Sequence, residues 1–369
     1  MAADDLNKPL GLSPRRSLPW QRIAIIGGVG AFAIAAAVGT AYFAAPRGPT
    51  ATTVIATPPE GAARIAPDRT GSTEPASGLT EVKPTGAITD VGEVVIHDPS
   101  QPQQIELASL PQKDLIETSG DGPLPRVSPD GVRPLEAYAR PSEDVNEDIR
   151  VAIVVGGLGI DQDGTRQAIA KLPGTVTLAF APHGEDLAAA VSAARIAGHE
   201  LLLQIPLEPF NYPKTDPGPN TLTAGASTEE NIGRLHWLLS RMTNYVGVMN
   251  YMGARFTGEA KALAPVMREI GSRGLLYLDD GSSARSKAAE IAGTTTPFLR
   301  GDVILDADLS ATAIDDRLKQ LQAIARERGY AIATATAFPV TVERVAAFAK
   351  AAADKGIAIV PVSAILPGS

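Results

Sequence analysis

Short apolar segments alternate with amphipathic segments through the C-terminal part of the chain. Eight apolar segments are rich in aliphatic and β-branched residues, as strands buried on both faces are. They are RVAIVV (150–155), TVTLAF (175–180), ELLLQI (200–205), GVMN (247–250), LLYLD (275–279), DVILD (302–306), YAIAT (330–334) and GIAIVPV (356–362). Helical patterns separate them at residues 186–197, 228–242, 259–272, 311–328 and 340–353. Repeated units of this kind predict an α/β fold with a parallel sheet.

Residues that favour helix ends support these boundaries. Ser227 precedes a run of acidic residues and is a suitable N-cap. Gly198, Gly274, Gly329 and Gly356 stand where helical patterns stop. A domain over residues 148–369 with seven or eight strand–helix units predicts a (β/α) barrel, and a doubly wound open sheet is the alternative.

The N-terminal region has a different pattern. Residues 23–45 carry no charge and would span about 34 Å as a helix, which is enough to cross a bilayer. Arg15, Arg16 and Arg22 precede this segment, so the positive-inside rule places residues 1–22 in the cytoplasm. We therefore expect a single-pass inner-membrane protein with a periplasmic C-terminal domain. A cleaved signal peptide is the alternative.

Residues 46–147 are rich in Pro, Thr, Ser and Gly and keep no helical or alternating period. Such a segment buries too little apolar surface to offset its ordering entropy, so we predict a disordered linker. Two short apolar pieces at residues 94–96 and 105–107 are candidates for edge strands that dock on the domain.

Charge and composition exclude several kinds of protein. There are 33 Lys and Arg against 41 Asp and Glu, a net charge of −8, which argues against binding nucleic acid through a basic surface. Cysteine is absent, which excludes disulfides, thiolate zinc sites and a thiol nucleophile. Only four histidines are present, so a histidine-rich metal site is difficult to build.

Five motifs at the predicted strand ends carry a family resemblance. GGLGID, HELLLQIPLEP, VGVMNYMGARFT, GLLYLDDGSS and ATAFPVT, in this order and spacing, resemble the divergent polysaccharide deacetylases. The resemblance covers nearly all of residues 150–366. It implies a (β/α) barrel related to the esterases that remove acetyl groups from glycans. Those enzymes hold a divalent metal with an Asp and two His, and the metal activates water.

This chain departs from the family at the positions of the metal ligands. Gly156-Gly157 stand where the family has two acids, Gln204 and Tyr251 stand where it has histidines, and Ala335-Thr336 replace a Gly-His pair. A carboxamide and a phenol are poor zinc ligands. We therefore expect no metal cofactor and assign no catalytic residue. Zinc would bind only if His183, Asp279 and Asp280 formed an unusual site.

Binding residues are expected where the strands end, because ligands of such folds bind at that edge of the sheet. Carboxamides, acids and an arginine suit hydrogen bonds to sugar hydroxyls, and a tyrosine ring can stack on a pyranose. The residues predicted to line this cleft are Gln204, Asn250, Tyr251, Arg255, Asp279, Asp280 and Ser282. The structural alternative is that Asn250 and Arg255 brace loops and that Arg255 pairs with Asp279.

Three hypotheses for function follow. The first is a membrane-anchored, periplasmic deacetylase-like protein of envelope carbohydrate metabolism, whose missing ligands count against activity. The second is a non-catalytic relative that binds glycan or scaffolds envelope proteins through the cleft. The third is an interaction module that acts through the linker. The expected partners are a glycan or another envelope component, together with the membrane through residues 23–45, and the oligomeric state stays open.

Overall fold

The computed structural model describes residues 111–141 and 149–367. No helix within these two ranges is long and apolar enough to span a membrane. The predicted membrane segment at residues 23–45 lies outside them, as do the apolar pieces at 94–96 and 105–107.

Residues 111–141 are folded, contrary to the prediction of a disordered linker up to residue 147. Strands β1 (Ile116–Ser119) and β2 (Gly122–Pro125) form an antiparallel hairpin, and the short helix α1 (Pro134–Ala137) follows. Leu115, Leu135 and Tyr138 are buried in one cluster with residues of the main sheet. The linker prediction is wrong for this stretch because its few apolar residues find their partners on a distant part of the chain.

The main sheet is parallel throughout the described residues. It contains β3 (Arg150–Leu158), β4 (Thr177–Phe180), β5 (Leu201–Leu207), β6 (Gly247–Met252), β7 (Leu276–Asp279), β8 (Phe298–Arg300), β9 (Val303–Ile304), β10 (Tyr330–Thr336) and β11 (Ala358–Val360). The strand order is β8-β7-β6-β5-β4-β3-β10-β9, and β11 pairs with the first residues of β3. Each of the eight predicted strands is present, whereas β8 was missed because its sequence, FLR, offers only two apolar residues.

Seven further helices follow strands of this sheet. They are α2 (Gln162–Lys171), α3 (Leu187–Ile196), α4 (Thr228–Leu239), α5 (Ala260–Ser272), α6 (Ala288–Ala292), α7 (Ala311–Arg328) and α8 (Pro339–Lys350). The Ser227 side chain caps α4 by accepting a hydrogen bond from the Glu230 N–H at 3.1 Å. The sequence pattern missed α2 because it buries only Thr165 and Ala168 and contains a glycine.

The two faces of the sheet belong to different clusters. Helices α2 to α8 pack with the outer face, which includes Val151, Ile153 and Leu203. The inner face, which includes Val154, Leu202 and Leu278, packs with residues from 111–141 and with the C-terminal residues. The segment 111–141 therefore covers part of the inner face. We call the buried residues of this face and those packed on it the inner cluster.

The edges of the sheet approach each other through one short segment. Strands β8 and β9 lie at opposite sides of the sheet but are separated by only two residues in the chain. The Gly301 N–H donates to the Asp279 carbonyl on β7, and the Asp302 N–H donates to the Ile332 carbonyl on β10, both at 2.8 Å. The prediction of an α/β fold is confirmed, with the sheet curled into a parallel half-barrel.

Candidate functional site

The loops that follow β5, β6 and β7 meet the end of β8. All of them lie at the carboxyl ends of the strands. The N–H groups of Arg255 and Phe256 donate to the Glu208 carbonyl at 3.2 and 3.1 Å. The Lys287 N–H donates to the Thr257 carbonyl at 2.8 Å. We call this surface the β5–β8 rim, defined as residues 208–211, 251–258 and 280–287 together with Arg300. It contains four of the seven residues that were predicted to line the cleft.

Gln204 lies beneath this rim, within β5, and is only 6% exposed. Its Oε1 accepts a hydrogen bond from the Gly157 N–H at 2.8 Å. A Cβ atom added to Gly156 would come within 2.6 Å of the Gln204 Nε2. The Gln204 side chain thus fills the space beside Gly156, so no larger side chain fits at that position without moving it.

Asn250 is also buried and braces the loops. Its Oδ1 accepts from the Asp280 N–H, and its Nδ2 donates to the Met252 carbonyl, both at 2.8 Å. The first bond joins β6 to the residue that follows β7, and the second lies within β6. Both polar atoms of the Asn250 side chain are therefore bonded to backbone groups. This agrees with the alternative in which Asn250 braces loops.

Tyr251 reaches the surface through an unusual turn. It is 38% exposed, whereas the preceding residues of β6 are buried and Met252 is half-buried. The next residue, Met252, has a φ of 58°, a left-handed conformation that costs a non-glycine residue about 1–2 kcal/mol. Gly253 follows with a φ of 93° and lies against Leu207, where a Cβ would come within 2.4 Å. The chain therefore turns sharply immediately after Tyr251.

Arg255 pairs with Glu208, so the alternative in which it pairs with Asp279 is wrong. The Arg255 Nη1 lies 2.8 Å from the Glu208 Oε1, and the Ala224 N–H donates to the other Glu208 oxygen at 2.6 Å. Glu208 is 4% exposed and was not among the predicted residues. The signal that could have identified it is its position immediately after β5, in the PLEP motif.

The two aspartates at the end of β7 have different surroundings. Asp279 is buried, and its Oδ1 accepts from the Gly281 N–H at 2.9 Å. Asp280 accepts from the Ser282 N–H at 2.9 Å and from the Ser282 hydroxyl at 2.7 Å. Burial raises the pKa of Asp280 above its ordinary value of 3.8, and hydrogen bonds from Ser282 and Asn250 oppose part of that shift. Asp280 and the exposed Ser282 form a polar pair on the rim.

The unusual zinc site considered above is not formed. The structure does not bring His183 together with Asp279 and Asp280. His183 follows β4 while the aspartates follow β7, and β5 and β6 lie between those strands. The His183 ring stacks on Trp237 with a centroid distance of 5.4 Å. In the part of the chain that the structure describes, no three His, Asp or Glu side chains are gathered in a way that could hold a metal ion.

The donors at the family's ligand positions do not fit a divalent metal either. Residues 156 and 157 are glycines without side-chain donors, and the Gln204 carboxamide oxygen is already bonded to the Gly157 N–H. Imidazole and carboxylate, which bind zinc well, are absent from these positions. We derive no metal-dependent step at this site.

Exposed apolar side chains concentrate at the carboxyl ends of the strands. Among the described residues, seven large apolar side chains are exposed, and five of them lie at or just after the carboxyl end of a strand. These five are Ile160, Phe210, Tyr251, Leu309 and Phe338. Phe210 is 59% exposed, and the Arg285 guanidinium lies 5.7 Å from the centre of its ring. Phe210 was not predicted, although a large apolar residue in a loop directly after a strand was a usable signal.

Two proteins resemble about half of this chain. The uncharacterized protein YibQ of Escherichia coli is 25% identical over 194 residues, which cover 52% of this chain and 60% of that protein. An uncharacterized protein of Haemophilus influenzae is 24% identical over 196 residues, which cover 52% of this chain and 68% of that protein. The match thus spans less than two thirds of the length of YibQ.

A solved structure is more similar. The uncharacterized protein ATU2773 from Agrobacterium tumefaciens C58 is 50% identical, with a TM-score of 0.65, and the match covers 66% of this chain and 100% of that one. The family model of the divergent polysaccharide deacetylases matches residues 153–366, more than half of the chain, and the protein therefore belongs to that family.

Proposed function

We propose that the protein binds envelope glycan at the β5–β8 rim and does not hydrolyse acetyl groups through a bound metal. The observation that carries this proposal is the packing of Gln204 against Gly156 and its bond to the Gly157 N–H. This carboxamide stands where the family places a histidine ligand, beside the positions where it places acids.

Metal-dependent deacetylation requires a cation that polarises the acetyl carbonyl and activates water. Such a cation needs several imidazole or carboxylate ligands and an open coordination position. Gly156, Gly157, Gln204 and Tyr251 supply neither ligand type. These residues support a role in binding without hydrolysis.

The rim has the groups that sugar recognition needs. Tyr251 and Phe210 expose aromatic rings, which can pack on the apolar face of a pyranose. Asp280, Ser282 and Arg255 add acceptors and donors for hydroxyl groups on the same surface. This combination of rings and polar groups favours a glycan over a purely apolar ligand.

The placement at the envelope rests on the N-terminal sequence. The uncharged residues 23–45 and the preceding Arg15, Arg16 and Arg22 favour a single inner-membrane anchor with the N-terminus in the cytoplasm. This topology puts the rim in the periplasm, where envelope glycans are found.

Binding of defined oligosaccharides to the purified full chain tests the proposal. We expect calorimetric titration with N-acetylchitohexaose, cellohexaose and hexagalacturonate to detect binding of at least one. Tyr251→Ala should weaken that binding at least about tenfold, or about 1.4 kcal/mol, because it removes a ring that stacks on the sugar. Ile196→Ala is the matched control, since Ile196 is 76% exposed on α3, away from the rim.

Two results would overturn the proposal. One is the absence of binding to all three oligosaccharides, or equal binding by the Tyr251→Ala variant. The other is stoichiometric zinc uptake with release of acetate from N-acetylchitohexaose. We expect zinc to leave the melting temperature unchanged, whereas a ligand at 100 times its Kd would stabilise the fold by about 2.7 kcal/mol.

A further inference from the structure

Two arginines on the rim lack a carboxylate partner. Arg285 and Arg300 are exposed, and no ion pair within the described residues joins either to an acid. Arg255, the third arginine of the rim, is paired with Glu208. The rim therefore carries two unpaired positive charges on a chain whose net charge is −8.

The loop after β7 holds these two arginines together. The Arg300 Nη2 donates to the Ser283 carbonyl at 3.1 Å, and the Ser283 hydroxyl accepts from the Arg285 N–H at 3.3 Å. Ser283 is 9% exposed, so both bonds are made at a nearly buried residue, whereas Arg285 and Arg300 are themselves exposed. Both arginines are thus bonded to the same residue of this loop.

Phe210 supports one of the two guanidinium groups. The Arg285 guanidinium lies 5.7 Å from the ring centre, and the ring is still 59% exposed. A guanidinium stacked on an aromatic ring keeps the N–H donors at its edge available for an oxyanion. An exposed ring beside such donors matches a sugar that presents an apolar face and a carboxylate.

Three carboxylates lie nearby, and none of them pairs with Arg285 or Arg300. Asp279 is buried and accepts from the Gly281 N–H, and Asp280 accepts from Ser282. Glu208 accepts from Arg255 and from the Ala224 N–H. None of these bonds involves Arg285 or Arg300, so an incoming anion meets two guanidinium groups without displacing an internal acid.

From these contacts we infer that the glycan bound at the rim is anionic, and that Arg285 and Arg300 bind its acidic groups while Phe210 packs against its ring. The inference rests on the proposed function and narrows its ligand to an acidic polysaccharide. Uronate carboxylates and sugar phosphates share the required chemistry, since both accept paired hydrogen bonds from arginine.

Titration of the full chain with hexagalacturonate, galactose 6-phosphate and N-acetylchitohexaose at low and high salt tests the inference. We expect hexagalacturonate to bind at least tenfold more tightly than the neutral hexamer, and its affinity to fall with added salt because exposed charges are screened. Arg285→Gln and Arg300→Gln should each weaken hexagalacturonate binding about tenfold, the equivalent of one charge-assisted hydrogen bond.

Arg268→Gln is the matched control, because Arg268 is an exposed arginine on α5 outside the rim. Binding of galactose 6-phosphate with the same loss in both rim variants would support a phosphorylated source of the anion. Tighter binding of the neutral hexamer, unaffected by Arg285→Gln and Arg300→Gln, would overturn the anionic inference and leave the proposed function intact. Failure of every oligosaccharide to bind would refute the proposed function itself.

Discussion

Replacement of Gly156 by alanine tests directly whether Gln204 fills the position of the missing ligands. The added Cβ would lie 2.6 Å from the Gln204 Nε2 and 3.2 Å from both the Gln204 Cδ and the Met249 Cε. Gly156 is not among the glycines with positive φ, so alanine meets no backbone strain there. The expected cost therefore comes from the clash with side chains.

The magnitude follows from what Gln204 must give up. Moving its carboxamide breaks the 2.8 Å bond from the Gly157 N–H. An unsatisfied buried polar group costs about 1–3 kcal/mol, and overpacking costs about 1–3 kcal/mol. Alanine gains about 0.5–1 kcal/mol over glycine in a strand, so we expect a net loss of about 2–3 kcal/mol in the free energy of unfolding.

Thermal and urea unfolding of the full chain measure this loss. At about 2–4 °C per kcal/mol for a domain of this size, Gly156→Ala should lower the melting temperature by about 4–12 °C. In a Gln204→Ala background the same substitution should cost less than about 1 kcal/mol, a coupling of at least about 1 kcal/mol between the two positions. Gly225→Ala is the control, because no atom lies within 4 Å of its added Cβ.

Two outcomes would refute the reasoning. If Gly156→Ala unfolds at the same urea concentration as the parent, Gln204 does not fill that space. If the substitution costs as much in the Gln204→Ala background as in the parent, the clash lies with another group, and the argument against a metal loses its structural support.

Two further substitutions test other parts of the fold. Leu135→Ala should lower the free energy of unfolding by about 2–5 kcal/mol, because Leu135 is buried in the inner cluster, and a melting temperature equal to the parent's would show that residues 111–141 contribute little. Burial raises the pKa of Glu200 above its ordinary value of 4.5, although bonds from Ser363 and the charge of Arg195 oppose this. The folded protein therefore binds this proton more tightly than the unfolded chain, so the contribution of Glu200 to stability is greatest below pH 4.5 and falls as the pH rises through the raised pKa. Melting temperatures from pH 4 to 8 should fall less steeply for Glu200→Gln than for the parent, and parallel curves would contradict the shift.

Local pattern was sufficient to locate the sheet. The strands RVAIVV, ELLLQI and YAIAT are apolar at nearly every position, because strands covered on both faces need apolar residues on both. The glycines at helix ends were equally readable, and Gly329 has a φ of 86° after α7. These features depend on neighbours in the sequence, so no knowledge of distant contacts was needed.

The hairpin at residues 116–125 and helix α1 could not be predicted in this way. They contain few large apolar side chains, and Leu115 and Leu135 become core residues only because they pack with the inner face of the curled sheet. A stretch with sparse apolar residues has the composition of a linker until its partner surface is known.

Part of the candidate site could likewise be predicted from the sequence, and part depends on tertiary packing. The ends of the strands could be located from the sequence pattern, and the structure places Tyr251, Arg255, Asp280 and Ser282 at that end of the sheet. Which of the polar residues reach the surface depends on the burial of Gln204, Asn250 and Asp279, and the partner of Arg255 depends on the path of the loop that carries Glu208. Burial and pairing of this kind are set by contacts between residues far apart in the chain. Local sequence therefore determines the strands and their polar ends, and only the packing of separate loops decides which of those polar groups remain free to bind a ligand.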